Sequence, residues 1–237
     1  MIEAAKPTVV TSQSVRLGVL LAAVGGFVDV FTFMTRDGVF ANAQTANVVL
    51  FGVDIVSGQW RTALGYLPPV VAFTLGVFTA EFVARPFVEK LVRRPVRAVL
   101  VIEILVITAV GFVPLSVPNA VVTVSISFVA ALQVTTFRVL VDQAFSTTMT
   151  TGNLRSLAQA VFHRIADGDK TAGARARNFG LVITGFLGGA VFGAVMVRTL
   201  GTGAAWVAAG MLVVALGMFM YDERRGIPRV SRARRQA

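Results

Sequence analysis

The sequence predicts an all-α membrane protein, with about six transmembrane helices and two short re-entrant half-helices arranged as two inverted repeats. Three observations predict it. Hydrophobic residues fill 55% of the 237 positions, charged residues 14%, and the mean hydropathy is +0.75, whereas a soluble domain carries about a quarter charged residues. The apolar residues gather in stretches of about 18 to 23, the length that spans ~30 Å of hydrocarbon. A short polar motif also occurs twice: Thr45-Ala46-Asn47 and, 106 residues later, Thr151-Gly152-Asn153.

Six segments are long and apolar enough to cross, at 15–34, 62–84, 98–115, 119–137, 178–200 and 203–221. The first is expected to be a span and not a cleaved signal, because Asp29 interrupts it and no small-residue cleavage site follows. Segments 44–57 and 150–165 look helical but reach only about 21 to 24 Å. Loop charges decide how these two are placed, since Lys and Arg near span ends favour the cytoplasmic side. With both segments re-entrant and the N-terminus inside, 18 of the 22 Lys and Arg residues lie inside. If both crossed, the 85–97 loop with Arg85, Lys90, Arg93, Arg94 and Arg97 would lie outside. Six crossings are therefore expected.

The chain then divides into a cytoplasmic N-terminus at 1–14, a first membrane repeat at 15–115, a second at 116–221 and a basic cytoplasmic tail at 222–237. Each repeat reads as span, half-helix, span, span, and three crossings is an odd number, so the halves must be inverted. Spaced small residues behind each half-helix, Gly76 with Ala80 and Gly189 with Gly193, predict close helix approach. Pro114 and Pro118 bracket the hairpin joining the halves, and Gly201-Thr202-Gly203 makes the last turn.

A formal charge of +10 would suggest nucleic acid in a soluble protein. Here the basic residues sit between and after apolar spans, where they meet anionic lipid head groups, so no nucleic-acid partner is expected. Cys is absent, which excludes disulfides, thiolate metal sites and a cysteine nucleophile. His163 stands alone as the one histidine, so no metal site and no cofactor are expected. A phosphate-binding glycine loop, a histidine pair around a glutamate and a nucleophile elbow are all missing, and the protein is not expected to be an enzyme.

Non-helical backbone in hydrocarbon needs partners from protein or a watery cavity. The polar segments 38–44 and 145–150 suit the lining of such a cavity. Thr45, Asn47, Thr151 and Asn153 are candidates to bind a solute with nearby amides at the half-helix starts, with Gln44 and Gln133 assisting. These threonines and asparagines are equally suited to capping their helices. Carboxylates within spans are functional candidates by default, which singles out Asp29 and Glu103 for coupling or proton transfer. The structural alternative pairs Asp29 with Gln133, Thr135 or an Arg, Glu103 with Arg97, and Glu81 with Arg85 one turn on. Arg138 and Asp142, four residues apart, form either a gate or a helix-end pair.

At these residues the chain resembles the YoaK family of bacterial inner-membrane proteins. The resemblance runs from about Leu17 to Tyr221 and rests on Gly25-Gly26-Phe27-Val28-Asp29, on 38–47, on Leu132-Gln133-Val134-Thr135-Thr136-Phe137-Arg138, and on 148–154. It implies a fold of about six spans and a bacterial cytoplasmic membrane, and it implies no established substrate. Where the family usually has Gly between Thr and Asn in both halves, this chain carries Ala46 in the first. A helix first turn accepts Ala readily.

The expected function is a secondary transporter or channel-like permease for a small polar or anionic solute, with the site between the two half-helix N-termini. The alternative is a non-transporting membrane scaffold or sensor with a purely structural polar core. Expected partners are the solute and anionic lipids at the basic cytoplasmic loops, with homo-oligomerisation left open.

Overall fold

The computed structural model describes residues 14–85, 95–140 and 143–224. Its helices are α1 (Val15–Thr35), α2 (Gln44–Val56), α3 (Trp60–Gly65), α4 (Leu67–Val83), α5 (Pro95–Val110), α6 (Asn119–Thr136), α7 (Thr150–Ala166), α8 (Lys170–Leu200) and α9 (Ala204–Arg224). A two-residue antiparallel strand pair, Val139–Leu140 with Gln143–Ala144, separates α6 from α7. A 3-10 turn at Gly201–Gly203 separates α8 from α9.

Four runs are long and apolar enough to cross a membrane: Val15–Thr35, Trp60–Val83, Asn119–Thr136 and Lys170–Glu223. The last contains both α8 and α9. The sequence expectation of six spans also included 98–115, where α5 has 16 described residues against the ~20 of a typical span. The expected span at 178–200 begins earlier, at Lys170, because the Asp169 side chain accepts the Thr171 N–H at 2.8 Å and caps the helix there.

Helix α1 is the centre of the molecule. Leu17, Leu21, Val24, Phe27, Val28 and Phe31 are buried on it, and it packs along α8 and beside α9. Such all-round burial is what an all-round apolar helix requires. α8 approaches α1 backbone to backbone: a Cβ on Gly189 would stand 1.9 Å from the Ala23 carbonyl oxygen, and one on Gly26 would stand 2.1 Å from that of Phe186. Across the molecule α4 packs against α6, where a Cβ on Gly76 would stand 2.5 Å from the Phe128 carbonyl oxygen. α5 lies against both α6 and α9. The spaced small residues thus act where close approach was expected.

Outside this core the helices present large apolar side chains, among them Val56, Phe78, Phe82, Phe162, Ile165 and Leu187, each more than 60% exposed. So much exposed apolar surface suits lipid and not water. The chain is an integral membrane protein.

Arg36, just beyond α1, is buried to 0% exposure. Its Nη2 donates to the Val113 carbonyl at 3.0 Å and its Nη1 to that of Pro114 at 3.4 Å. The guanidinium thereby ties the end of α1 to the chain leaving α5. Arg36→Met is expected to destabilise the protein by about 2 kcal/mol, the scale of hydrogen bonds to a charged group. A lower Tm in detergent checks this; an unchanged Tm would show that the staple contributes nothing.

Candidate functional site

Two loops, one before each short helix, meet in the interior. The first begins with a reversal at Asp37 and Gly38, whose φ values of 53° and 75° put both in the left-handed region. The chain then runs back along one face of α1, where residues 25, 29 and 32 project together. Thr32 Oγ1 accepts the Ala41 N–H at 3.1 Å, and Asp29 Oδ1 accepts the Asn42 N–H at 2.8 Å. Asn42 Nδ2 donates to the Gly25 carbonyl at 3.2 Å. The Ala41 carbonyl takes Ser127 Oγ and Gln44 Nε2, both at 2.7 Å. Non-helical backbone is here satisfied group by group, as burial demands.

Asn47 completes the first loop. Its Oδ1 accepts the Phe40 N–H at 2.9 Å while its Nδ2 donates to the Phe40 carbonyl at 2.7 Å and to Gln44 Oε1 at 2.9 Å. The second loop is held in the same way. Asn153 Oδ1 accepts the Ser146 N–H at 3.2 Å, and its Nδ2 donates to the Ser146 carbonyl at 2.6 Å. Each asparagine reaches back seven residues to both backbone groups of one residue, and the two clamps lie 106 residues apart.

The loops converge at Gly25. Its carbonyl is taken by Asn42, while a Cβ placed on it would stand 3.1 Å from both the Thr147 carbonyl oxygen and Thr148 Cγ2. From Thr147 the polar contacts continue: its Oγ1 donates to Gln133 Oε1 at 3.3 Å, and Gln133 Nε2 lies 3.0 Å from both oxygens of Glu103. Asp29 and Glu103, both buried, are therefore the far ends of two hydrogen-bonded runs that meet by packing at Gly25.

Of the predicted residues, the structure brings Asp29, Gln44, Asn47, Gln133, Glu103 and Asn153 into this network, directly or through one loop. Thr45 and Thr151 are exposed on the first turns of α2 and α7 and stand apart from it. Neither asparagine is a helix cap: the N-cap positions are Ala43 and Met149, and no side chain caps there.

Several expected pairings are replaced. Asp29 bonds the backbone of its own loop and not Gln133 or Thr135, because the return of the chain along α1 brings Asn42 to it first. Gln133 serves Glu103 instead, and Arg97 pairs with Glu223 across the helix ends. Glu81 pairs with Arg138 at 2.9 Å, not with Arg85, since the packing of α4 on α6 carries the two together. Arg138 is thus taken up by Glu81, and Asp142 lies outside the described residues.

Asn42, Thr148, Thr32 and Ser127 are site residues that residue-by-residue reading of the sequence did not single out. The available signal for the first two was their place inside the polar segments 38–44 and 145–150. Among the described residues no cluster of three metal-ligating side chains occurs.

No solved structure matches the chain. The chain is 27% identical over 149 residues to the UPF0700 transmembrane protein YoaK of Bacillus subtilis (strain 168), a stretch covering 62% of this chain and 66% of the relative. Residues 17–218 match the model of the family described as a protein of unknown function, DUF1275. That match takes in most of α1, both clamped loops and the larger part of α9, so the chain belongs to the DUF1275 family and the YoaK resemblance carried by its motifs holds.

Proposed function

We propose that this protein is a secondary transporter or channel-like permease for a small polar solute, with its site where the two clamped loops meet. The observation that carries the reading is the repeated asparagine clamp, which fixes two non-helical loops, both resting on Gly25, in the interior of a membrane protein. Backbone of that kind persists at membrane depth where it lines a cavity or is sealed by protein. Transporters built from inverted repeats place their substrates between such broken helices.

The inverted-repeat arrangement draws support from the helix packing. The first helix of one half, α1, packs on the third of the other, α8, and α6 packs on α4 in the reciprocal way. Length supports two crossings in the last run, since the 54 residues of Lys170–Glu223 would extend for about 81 Å as one helix, against ~30 Å of hydrocarbon, and Gly201 turns the chain with φ 58°; with α5 taken as a short span the crossings number six. On this reading α2 and α7 are re-entrant, both termini face the cytoplasm of a bacterial inner membrane, the basic stretches meet anionic lipid, and no catalysis is assigned. Asp29 and Glu103 are the coupling residues.

A second reading, a non-transporting scaffold or sensor, is favoured by how fully Asn47, Gln44, Gln133 and Glu103 bond one another within the chain. Asp29→Asn separates the two. Asparagine keeps an acceptor for the Asn42 N–H and removes the carboxylate. In liposomes the wild-type protein is expected to move solute and D29N to fall to the level of empty liposomes, with Tm changed by less than about 1 kcal/mol in equivalent stability. A broad flux screen in which wild type matches empty liposomes would overturn the transporter reading.

A further inference from the structure

We propose that the junction at Gly25 is a binding site for a small monovalent cation, coordinated by Asn42 Oδ1 and Thr148 Oγ1. The inference rests on the transporter reading and gives that site a ligand class. Asn42 is 5% exposed and Thr148 8%, and the Asn42 Oδ1 and Thr148 Oγ1 atoms are both buried without a hydrogen-bond partner. Buried polar atoms are nearly always paired, so two orphaned oxygens beside one glycine need an explanation. They are not unrelated atoms. Asn42 and Thr148 lie 106 residues apart, the spacing of the Asn47 and Asn153 clamps, so each loop contributes the residue at the same position.

Both side chains abut Gly25. The Asn42 amide nitrogen bonds its carbonyl, and Thr148 Cγ2 lies 3.1 Å from where its Cβ would be. The Thr147 carbonyl oxygen lies at the same 3.1 Å. Glycine is what lets the second loop pack this closely, so the loop carrying Thr148 and the loop carrying Asn42 both rest on this turn of α1.

The chemistry of the surroundings selects the ligand. An amide oxygen accepts and cannot donate, a hydroxyl does either, and the nearby Gly25 and Thr147 carbonyls accept. A buried carboxyl group, Asp29, bonds Asn42, a second, Glu103, lies beyond Thr147 and Gln133, and among the described residues neither is in an ion pair. An anion would meet oxygen acceptors with only the Thr148 hydroxyl free to donate. A cation meets oxygen donors, the ligands that hard ions prefer. A divalent ion such as calcium takes six to eight oxygens with several carboxylates. Asp29 Oδ1 already holds the Asn42 N–H, so the donor set suits single charge.

The test uses the full-length protein purified in detergent, with thermal unfolding followed at constant ionic strength as choline chloride is replaced by NaCl, KCl or NH4Cl. A cation that binds the folded state raises Tm with saturation. At least one of the three salts is expected to do so. Asn42→Ala and Thr148→Val are each expected to weaken its apparent affinity about tenfold or more, while Thr148→Ser keeps it within about threefold, because the hydroxyl is retained. Each variant is compared with itself in choline, so a lower starting Tm does not hide the response. Absence of a saturable shift in all three salts would overturn the site, as would an unchanged response in both N42A and T148V. Flux without any cation response would remove the site and leave the transporter reading standing. A cation response in a protein that moves nothing would do the reverse.

Discussion

Gly189→Val is expected to yield no folded protein, because a Cβ at this position would stand 1.9 Å from the Ala23 carbonyl oxygen and 2.5 Å from the Ala23 carbonyl carbon. The obstacle is helix backbone, which has no rotamer to escape into, so α8 must move away from α1 along its length. That movement uncovers Ala22, Phe179 and Val182, which pack together behind the contact. Overpacking a core by a few carbons typically costs 1–3 kcal/mol when side chains can yield. Here they cannot, and the loss should exceed about 3 kcal/mol. Gly188, one residue earlier, has nothing within 4 Å of its Cβ position and supplies the control. Gly188→Ala should keep or raise Tm, since alanine is favoured over glycine within a helix by about 1 kcal/mol. Size-exclusion profiles and Tm in detergent check the pair; a G189V protein that elutes and melts like wild type would refute the backbone contact.

Asn153→Ala should destabilise the protein and, on the transporter reading, abolish flux. The amide side chain satisfies two backbone groups of Ser146 at once, and alanine leaves that N–H and C=O without partners in a partly buried loop. Each net loss is on the order of 1–2 kcal/mol, giving about 3 kcal/mol for the pair. The loop it releases carries Thr147 and Thr148 to the junction with Gly25. Asn47→Ala should behave alike in the first loop, with the added loss of the Gln44 contact. Thr151→Ala, two residues from Asn153 and exposed, should change stability by less than about 0.5 kcal/mol. Tm together with flux measures this. If N153A transports normally at a temperature where it is fully folded, the clamp is structural alone.

Much of this architecture is legible in the sequence because its causes are local. The apolar stretches mark the long helices, the repeated Thr-x-Asn motif marks the two short ones, and Asp29 betrays itself by sitting in an apolar run. What escapes local reading depends on which elements become neighbours. Glu81 has Arg85 one turn away, yet its partner is Arg138, 57 residues on, because α4 lies on α6. Arg36 looks like an ordinary loop cation, and nothing nearby in sequence foretells that the carbonyls of Val113 and Pro114 will enclose it. Thr45 and Asn47 look equally suited to a site. Two residues round a helix is about half a turn, so one faces outward and the other inward, and the face is set by tertiary packing. The extent of α8 likewise follows from Asp169, a cap that hydropathy does not register.

The glycine contacts between α1 and α8 have a mechanical consequence. Where carbonyls of one helix rest against α-carbons of the other, there is no layer of side chains to shear, and the two helices form a single stiff bar. α4 and α6 form a second through Gly76. Each bar takes one helix from each half of the chain, so the line of least resistance runs between bars and not between halves. Along that line lie Gly25, with a loop from each half against it, and the hydrogen-bonded runs that end at Asp29 and Glu103, whose bonds would have to stretch or exchange if the bars tilted.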